Sequence, residues 1–162
     1  MNEDETVNAS VLPTRLPFHI LLADDDSDDR HFFEKILNEI PIPTRFTALT
    51  DGEKLMTYLF KNSAKLPDAL FLDFNMPRKN GAECLSAITL SDKLKHLPVI
   101  IYSTSLHRDL ANQLYNNGAY YYIRKTDLAD LRNVLFYILT LLEQGKFMRP
   151  GREQFILSLN PV

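Results

Sequence analysis

The acid of this chain is unevenly placed, and its placement suggests chemistry. Asp24, Asp25, Asp26, Asp28 and Asp29 fall within six positions, directly after the apolar run Phe18-His19-Ile20-Leu21-Leu22-Ala23. Asp73 stands near the end of another apolar run, Asp68 to Phe74. If both runs are strands of one sheet, Asp24, Asp25 and Asp73 meet at one edge, where like charges raise one another's pKa or recruit a cation. Oxygen donors with open positions suit Mg2+, which takes one or two protein carboxylates, keeps several waters and shares its remaining positions with a phosphate. Asp73 is the candidate nucleophile, since a carboxylate accepts a phosphoryl group as an acyl phosphate when a metal ion and a lysine neutralise the transferring oxygens. Lys125, after the run Ala119 to Arg124, supplies that cation. Ser103 closes Pro98 to Ser103 and offers a hydroxyl to a phosphoryl oxygen on Asp73, with its neighbours Thr104 and Ser105 as alternatives if the strand end is displaced.

The elements that must position these groups are legible from periodicity. Phe18 to Ala23 is a first strand, and a helix over about 28–39 follows, capped by Ser27, with Phe32, Phe33, Ile36, Leu37 and Ile40 at helical spacing and Pro41 as its stop. Arg45 to Leu49 is a second strand, and Asp51-Gly52 opens a helix to about Phe60. Asp68 to Phe74 is a third strand, followed by a loop and a helix through Leu90; Pro98 to Ser103 is a fourth, with a helix at about 107–117 ending on Gly118. Ala119 to Arg124 is a fifth, and Asp127 caps a last helix to about Gln144 that carries a wide apolar stripe. Five strands alternating with five helices make a doubly wound α/β sheet, for which the flavodoxin-like order 2-1-3-4-5 is expected, with the site at the carboxyl ends of the strands.

Composition narrows the function. At 162 residues the chain has room for one domain, expected over 17–146, with an arm over 1–16 and a tail over 147–162 that is too short for an output domain. The net charge of −3 argues against a protein that coats nucleic acid or an anionic membrane, and without the five clustered aspartates it would be +2. No apolar run reaches the length of a spanning helix, the N-terminus lacks a signal-peptide pattern, and the single cysteine, Cys84, permits no internal disulfide, so a cytoplasmic protein is expected. Cys84 reads as core, and His19, His31, His96 and His107 show no ligand spacing. The apolar Phe155-Ile156-Leu157 has no role that the sequence supplies.

Four stretches together carry a resemblance. Ile20-Leu21-Leu22-Ala23-Asp24-Asp25, Leu72-Asp73-Phe74-Asn75-Met76-Pro77-Arg78-Lys79-Asn80-Gly81, Pro98-Val99-Ile100-Ile101-Tyr102-Ser103 and Gly118-Ala119-Tyr120-Tyr121-Tyr122-Ile123-Arg124-Lys125 occur in the order of a response-regulator receiver domain, which the chain resembles over about residues 17–144. The loop after Asp73 looks most like that of small stand-alone regulators related to those serving bacterial phytochromes. The resemblance implies that Asp24 and Asp25 hold Mg2+ and that Asn75 gives it a backbone carbonyl. It further implies that Asp73 is phosphorylated by a histidine kinase or histidine phosphotransfer protein, and that Ser103 is the switch hydroxyl, Tyr122 the switch aromatic and Lys125 the phosphate-binding cation. The mechanism it implies is a two-state switch in which, on phosphorylation, Ser103 and Lys125 move toward the phosphoryl group and Tyr122 can take the space Ser103 vacates. This reshapes the face of helix four, strand five and helix five, where a downstream protein target or a second copy would bind. Tyr120, Tyr121 and Tyr122 lie on that face, with Tyr120 and Tyr122 on one side by strand alternation. The chain departs from the family pattern at Thr126, where proline usually follows the lysine; without proline a trans bond is expected.

Other readings compete. Acidic residues favour a helix N-terminus, which accounts for Asp28 and Asp29 and in part for Asp26. An EF-hand loop beginning at Asp24 fails because it needs Gly where Asp29 stands and Glu where Lys35 stands. A phosphatase of the haloacid-dehalogenase type would use Asp24 as nucleophile and Asp26 as general acid, but it leaves the motif around Asp73 idle and has no room for a cap domain. A receiver-like docking module that never takes phosphate is the third. The receiver reading predicts no metabolic enzyme activity and no nucleic-acid or membrane binding, only self-phosphorylation, autodephosphorylation and protein contact.

Overall fold

The computed structural model describes residues 16–105, 107–125 and 128–158. Five parallel strands, β1 (Phe18–Ala23), β2 (Thr44–Leu49), β3 (Ala69–Asp73), β4 (Val99–Ser103) and β5 (Tyr121–Arg124), stand in the order β2-β1-β3-β4-β5. Helices α1 (Ser27–Glu39), α2 (Gly52–Lys61), α3 (Gly81–Thr89) and α4 (Arg108–Asn116) connect them, and α5 (Leu128–Glu143) follows β5. This is the flavodoxin-like arrangement that the alternation predicts. The expected arm lies outside the described residues except for Leu16, and so do Thr126 and the expected cap Asp127.

Strands β1, β3 and β4 are buried at every residue, which is why they read as unbroken apolar runs. Alternate side chains feed two cores. Leu21, Leu70, Leu72, Ile101 and Tyr122 pack toward α2, α3 and α4. Ile20, Leu22, Phe71, Tyr102 and Ile123 pack toward α1 and α5. Phe33 of α1 anchors the second core, edge-on to Phe71 at 5.0 Å and to Tyr102 at 5.9 Å.

Several local expectations need correction. The cap of α1 is Asp26 rather than Ser27: its Oδ1 accepts the N–H of Asp28 at 2.8 Å and of Asp29 at 3.1 Å. Phe32 is 44 % exposed, because the buried face of α1 is set by Phe33, Ile36 and Leu37 and an adjacent residue points about 100° away. The tyrosine triplet is not an exposed face. Tyr121 and Tyr122 are buried in opposite cores, while Tyr120 precedes β5, escapes strand alternation and packs on the same core as Tyr121.

What covers the tyrosines is the segment after α5. The chain turns at Gly145 with φ of 68°, a left-handed conformation suited to glycine, and Phe147 then packs on Tyr120 and Tyr121. Past a 3-10 turn at Arg152–Gln154, the N–H of Tyr122 donates to the carbonyl of Phe155 at 2.8 Å and that of Leu157 to the carbonyl of Tyr122 at 2.9 Å. This parallel bridge extends the sheet beyond β5 and leaves Phe155 fully buried. The tail as far as residue 158 is thus part of the folded body.

The two neighbouring phenylalanines of α1 separate core from surface. Phe33→Ala should lower the unfolding free energy by about 3–5 kcal/mol in urea titrations, whereas Phe32→Ala should change it by roughly 0.5 kcal/mol or less.

Candidate functional site

The carboxyl ends of β1, β3, β4 and β5 converge on one edge of the sheet, and the acids lie there. Asp24 follows β1 and is fully buried: its N–H donates to Leu49 O at 3.0 Å, its Oδ1 accepts the N–H of Asp26 at 3.0 Å, and its carbonyl accepts from Arg30 at 2.8 Å. Asp25 is exposed beside it. Asp73, the last residue of β3, is buried, and its Oδ1 accepts the N–H of Asn75 at 3.2 Å. One carboxylate oxygen from each of Asp24, Asp25 and Asp73 lies within 4.8 Å of the others. Asn75 itself is exposed on the loop that leaves β3.

Lys125 answers this charge. Its Nζ lies 2.7 Å from Asp24 Oδ2, 2.9 Å from Asp29 Oδ2 and 3.6 Å from Asp73 Oδ2, with the Tyr102 ring centroid 4.8 Å away. Burial works to lower the lysine pKa, but hydrogen bonds to Asp24 and Asp29 and the charge of Asp73 outweigh it and raise it above the ordinary value. Asp73 moves the other way. Burial pushes its carboxyl up to about 7, Lys125 opposes the rise and Asp24 adds to it.

Asp29 is the residue that sequence reasoning left as an ordinary helix-start acid. Its partner is 96 positions away, and only the docking of α1 beside the end of β5 shows the pairing. Asp26, by contrast, serves as the α1 cap through its Oδ1.

The loop behind Asp73 is held from below. A Cβ on Gly81 would stand 2.7 Å from Asp73 O and from Phe74 Cα, and one on Gly52 would stand 2.0 Å from Lys79 O, so both glycines are needed for the approach. Arg78 adopts φ of 68° and its Nε lies 3.6 Å from Asp51, while Asn80 and Glu83 close a capping box at the start of α3. These supports fix Asn75 next to the acids.

Ser103 ends β4 one residue past Tyr102, the register partner of Asp73, and is 1 % exposed. Its Oγ is buried and has no hydrogen-bond partner among the described residues. Thr104 is exposed on the bend that follows, so of the two hydroxyls Ser103 is the enclosed one. Tyr122 is fully buried, and its hydroxyl donates to Ser105 O. Burial raises the phenol pKa and the neighbouring Ser103 hydroxyl works against that rise, although the two do not meet hydrogen-bond geometry.

The donors suit a hard cation. Three carboxylates offer oxygen alone, one of them exposed and hence open to waters, and one lysine cannot neutralise them together with Asp29. No helix among the described residues is long and apolar enough to cross a membrane.

The family model described as "Response regulator receiver domain" matches residues 20–136. Response regulator Rcp1 of Synechocystis sp. is 31% identical over 121 residues, covering 71% of this chain and 82% of its own length. A solved structure of the Mn2+-bound form of Rcp1 aligns with a TM-score of 0.71 at 27% identity, over 83% of this chain and 100% of that one. The phosphorylated cyanobacterial phytochrome response regulator RcpA aligns equally well, with a TM-score of 0.71 at 28% identity, over 83% and 99%. A CheY from Borrelia burgdorferi, solved in complex with CheX, BeF3 and Mg2+, gives 0.66 at 27%, over 78% and 90%.

The raised Asp73 pKa fixes a pH dependence. Between the ordinary value of 3.8 and about 7 the folded carboxyl holds a proton that the unfolded chain has lost, so stability falls as pH rises through this window. Asp73→Asn abolishes that loss. In chelator-treated buffer it should unfold like wild type near pH 4 and be more stable by about 1–3 kcal/mol near pH 8, as followed by denaturant titration.

Proposed function

The chain belongs to the response regulator receiver domain family, and from that premise we propose that it takes a phosphoryl group on Asp73 from a histidine kinase or histidine phosphotransfer protein and signals by protein contact. The observation that carries this is the meeting of four parts at one sheet edge. Asp73 is flanked by two further carboxylates, faces Lys125 at 3.6 Å and has beyond it a buried hydroxyl, Ser103 Oγ, with no hydrogen-bond partner among the described residues.

In the transfer an Asp73 carboxylate oxygen forms a bond to phosphorus as the P–N bond to the donor imidazole breaks, and the imidazole nitrogen leaves with the electron pair and takes a proton. Asp24, Asp25, Asp73 and the backbone carbonyl of Asn75 would hold Mg2+, which supplies charge neutralisation for the transferring oxygens. Lys125 counters the remaining charge from the β5 side. Ser103 donates a hydrogen bond from its hydroxyl to a phosphoryl oxygen, an acceptor that it lacks among the described residues. Hydrolysis reverses the loading: water attacks phosphorus, the P–O bond to Asp73 breaks and inorganic phosphate leaves. We read the chain as a switch with these two self-reactions rather than a metabolic enzyme.

Two relatives support the reading by what their structures contain, a phosphorylated state in RcpA and BeF3 with Mg2+ in the CheY complex. That the latter CheY is bound to CheX is consistent with output by contact to another signalling protein.

Acetyl phosphate with MgCl2 should add one phosphate to the wild-type chain, seen by intact mass and mapped to Asp73, and none to Asp73→Ala. Lys125→Ala should slow the transfer about 100-fold. Asp24→Asn should weaken Mg2+ binding at least about 10-fold, measured by calorimetry. Label on Asp24, with turnover of small phosphate esters, would replace this reading by the phosphatase one. Equally poor Mg2+ and BeF3 binding by wild type and Asp73→Ala would leave only a docking module.

A further inference from the structure

We propose that the C-terminal segment is a working part of the switch: Phe155 is a positioning residue that keeps Tyr122 buried beside Ser103, so that docking of the segment and loading of Asp73 strengthen each other. The inference rests on Asp73 being the phospho-acceptor. It goes beyond that reading by adding a coupled element outside the five-stranded unit.

The segment is joined to the switch at Tyr122 itself. Both backbone polar groups of Tyr122 bond to it, and the Phe155 ring meets the Tyr122 ring at 6.3 Å and 70°. The Tyr122 hydroxyl in turn holds the Ser105 carbonyl, two residues from Ser103. The same Phe155 ring packs edge-on against Tyr115 of α4 at 5.3 Å. Arg149 seals the junction, donating to Ala119 O at 3.1 Å with its guanidinium 3.9 Å from the Tyr115 ring centroid, while the Tyr115 hydroxyl donates to Pro150 O at 3.0 Å. The segment therefore grips both α4 and β5.

Close packing makes this grip consequential. Removing the Phe155 ring opens a void against Tyr122, and an aromatic side chain beside a void has a second place to go. If Tyr122 moves, the Ser105 carbonyl loses its donor and Ser103 loses a packed neighbour. Ser103 Oγ, buried without a hydrogen-bond partner among the described residues, is costly as it stands and would be relieved by an oxygen carried on Asp73. Whatever holds Ser103 in that receptive position favours loading, and by linkage loading must favour it in return.

The test uses the full chain, MgCl2 and beryllium fluoride as the phosphoryl mimic. Phe155→Ala should weaken mimic binding about 5- to 50-fold while near-UV circular dichroism still shows a packed fold, and Phe155→Leu should recover most of the loss. In a Ser103→Ala background Phe155→Ala should add less than about twofold, because both changes act through one path. Saturating mimic should slow hydrogen exchange at the amides of Tyr122 and Leu157 in wild type, and not in Asp73→Ala. A packed Phe155→Ala chain with wild-type affinity overturns the proposal. So does wild-type exchange at those two amides that the mimic leaves unchanged, a readout that stands even if the variant fails to fold. A wild-type chain that takes no mimic at all removes the phospho-acceptor reading and this coupling with it.

Discussion

Lys125 stands where negative charge is most concentrated, and the rest of the site depends on that one side chain. Its ammonium touches Asp24 and Asp29 and lies within ion-pair range of Asp73, two of them buried carboxylates that water solvates poorly. Removing one partner of such a set leaves an uncompensated charge in a low-dielectric setting, which is costlier than the pair itself is favourable. To serve all three the lysine must reach from the end of β5 back past β4 and β3 toward β1. The Tyr102 ring lines that path, so the stem and the cation both find a surface to lie against. The strand order is what makes the span short enough.

The same concentration of charge sets the chemistry. Asp73 is pushed toward a neutral pKa by burial, with Asp24 adding to the rise and Lys125 opposing it. A residue in that state is poised between protonated and ionised, and a cation held at the three carboxylates would favour the ionised form. In the proposed switch, metal binding and phosphoryl acceptance would then both follow from one electrostatic imbalance. The glycine at position 81 contributes from behind, because only a residue without Cβ lets α3 start directly under the Asp73 carbonyl.

Aromatic packing carries the fold from the site to its far side. Tyr122 lies at the meeting of the β4 end, α4 and the C-terminal segment, and Phe155 fills the space beneath it. The segment adds a parallel bridge at Tyr122 to the β5 edge as well as a hydrophobic plug, so both backbone groups of Tyr122 on that edge are paired by the chain's own residues. The face formed by α4, β5 and α5 therefore differs from the open aromatic surface that the tyrosine triplet suggests.

Five strands, their alternation with helices and the four motif stretches in their order were readable because each rests on local periodicity or on residues close in sequence. The apolar run of β1 followed by Asp24 and Asp25, and the run of β3 followed by the loop Asn75 to Gly81, announce the fold and most of the site without coordinates. Composition also shows that the negative charge is clustered. What only the tertiary structure decided is which of those acids share a cation. Asp26 caps α1 and Asp29 pairs with Lys125, a division that depends on how a helix starts and docks and leaves no trace in spacing. The depth of Tyr122 and the use of Phe155 were hidden for the same reason: strand alternation gives a side but not what lies on it, and an apolar triplet 30 residues after β5 looks alike whether it packs or not. Local pattern fixes elements and their ends, whereas contacts between residues distant in the chain are set by the closing of the whole sheet.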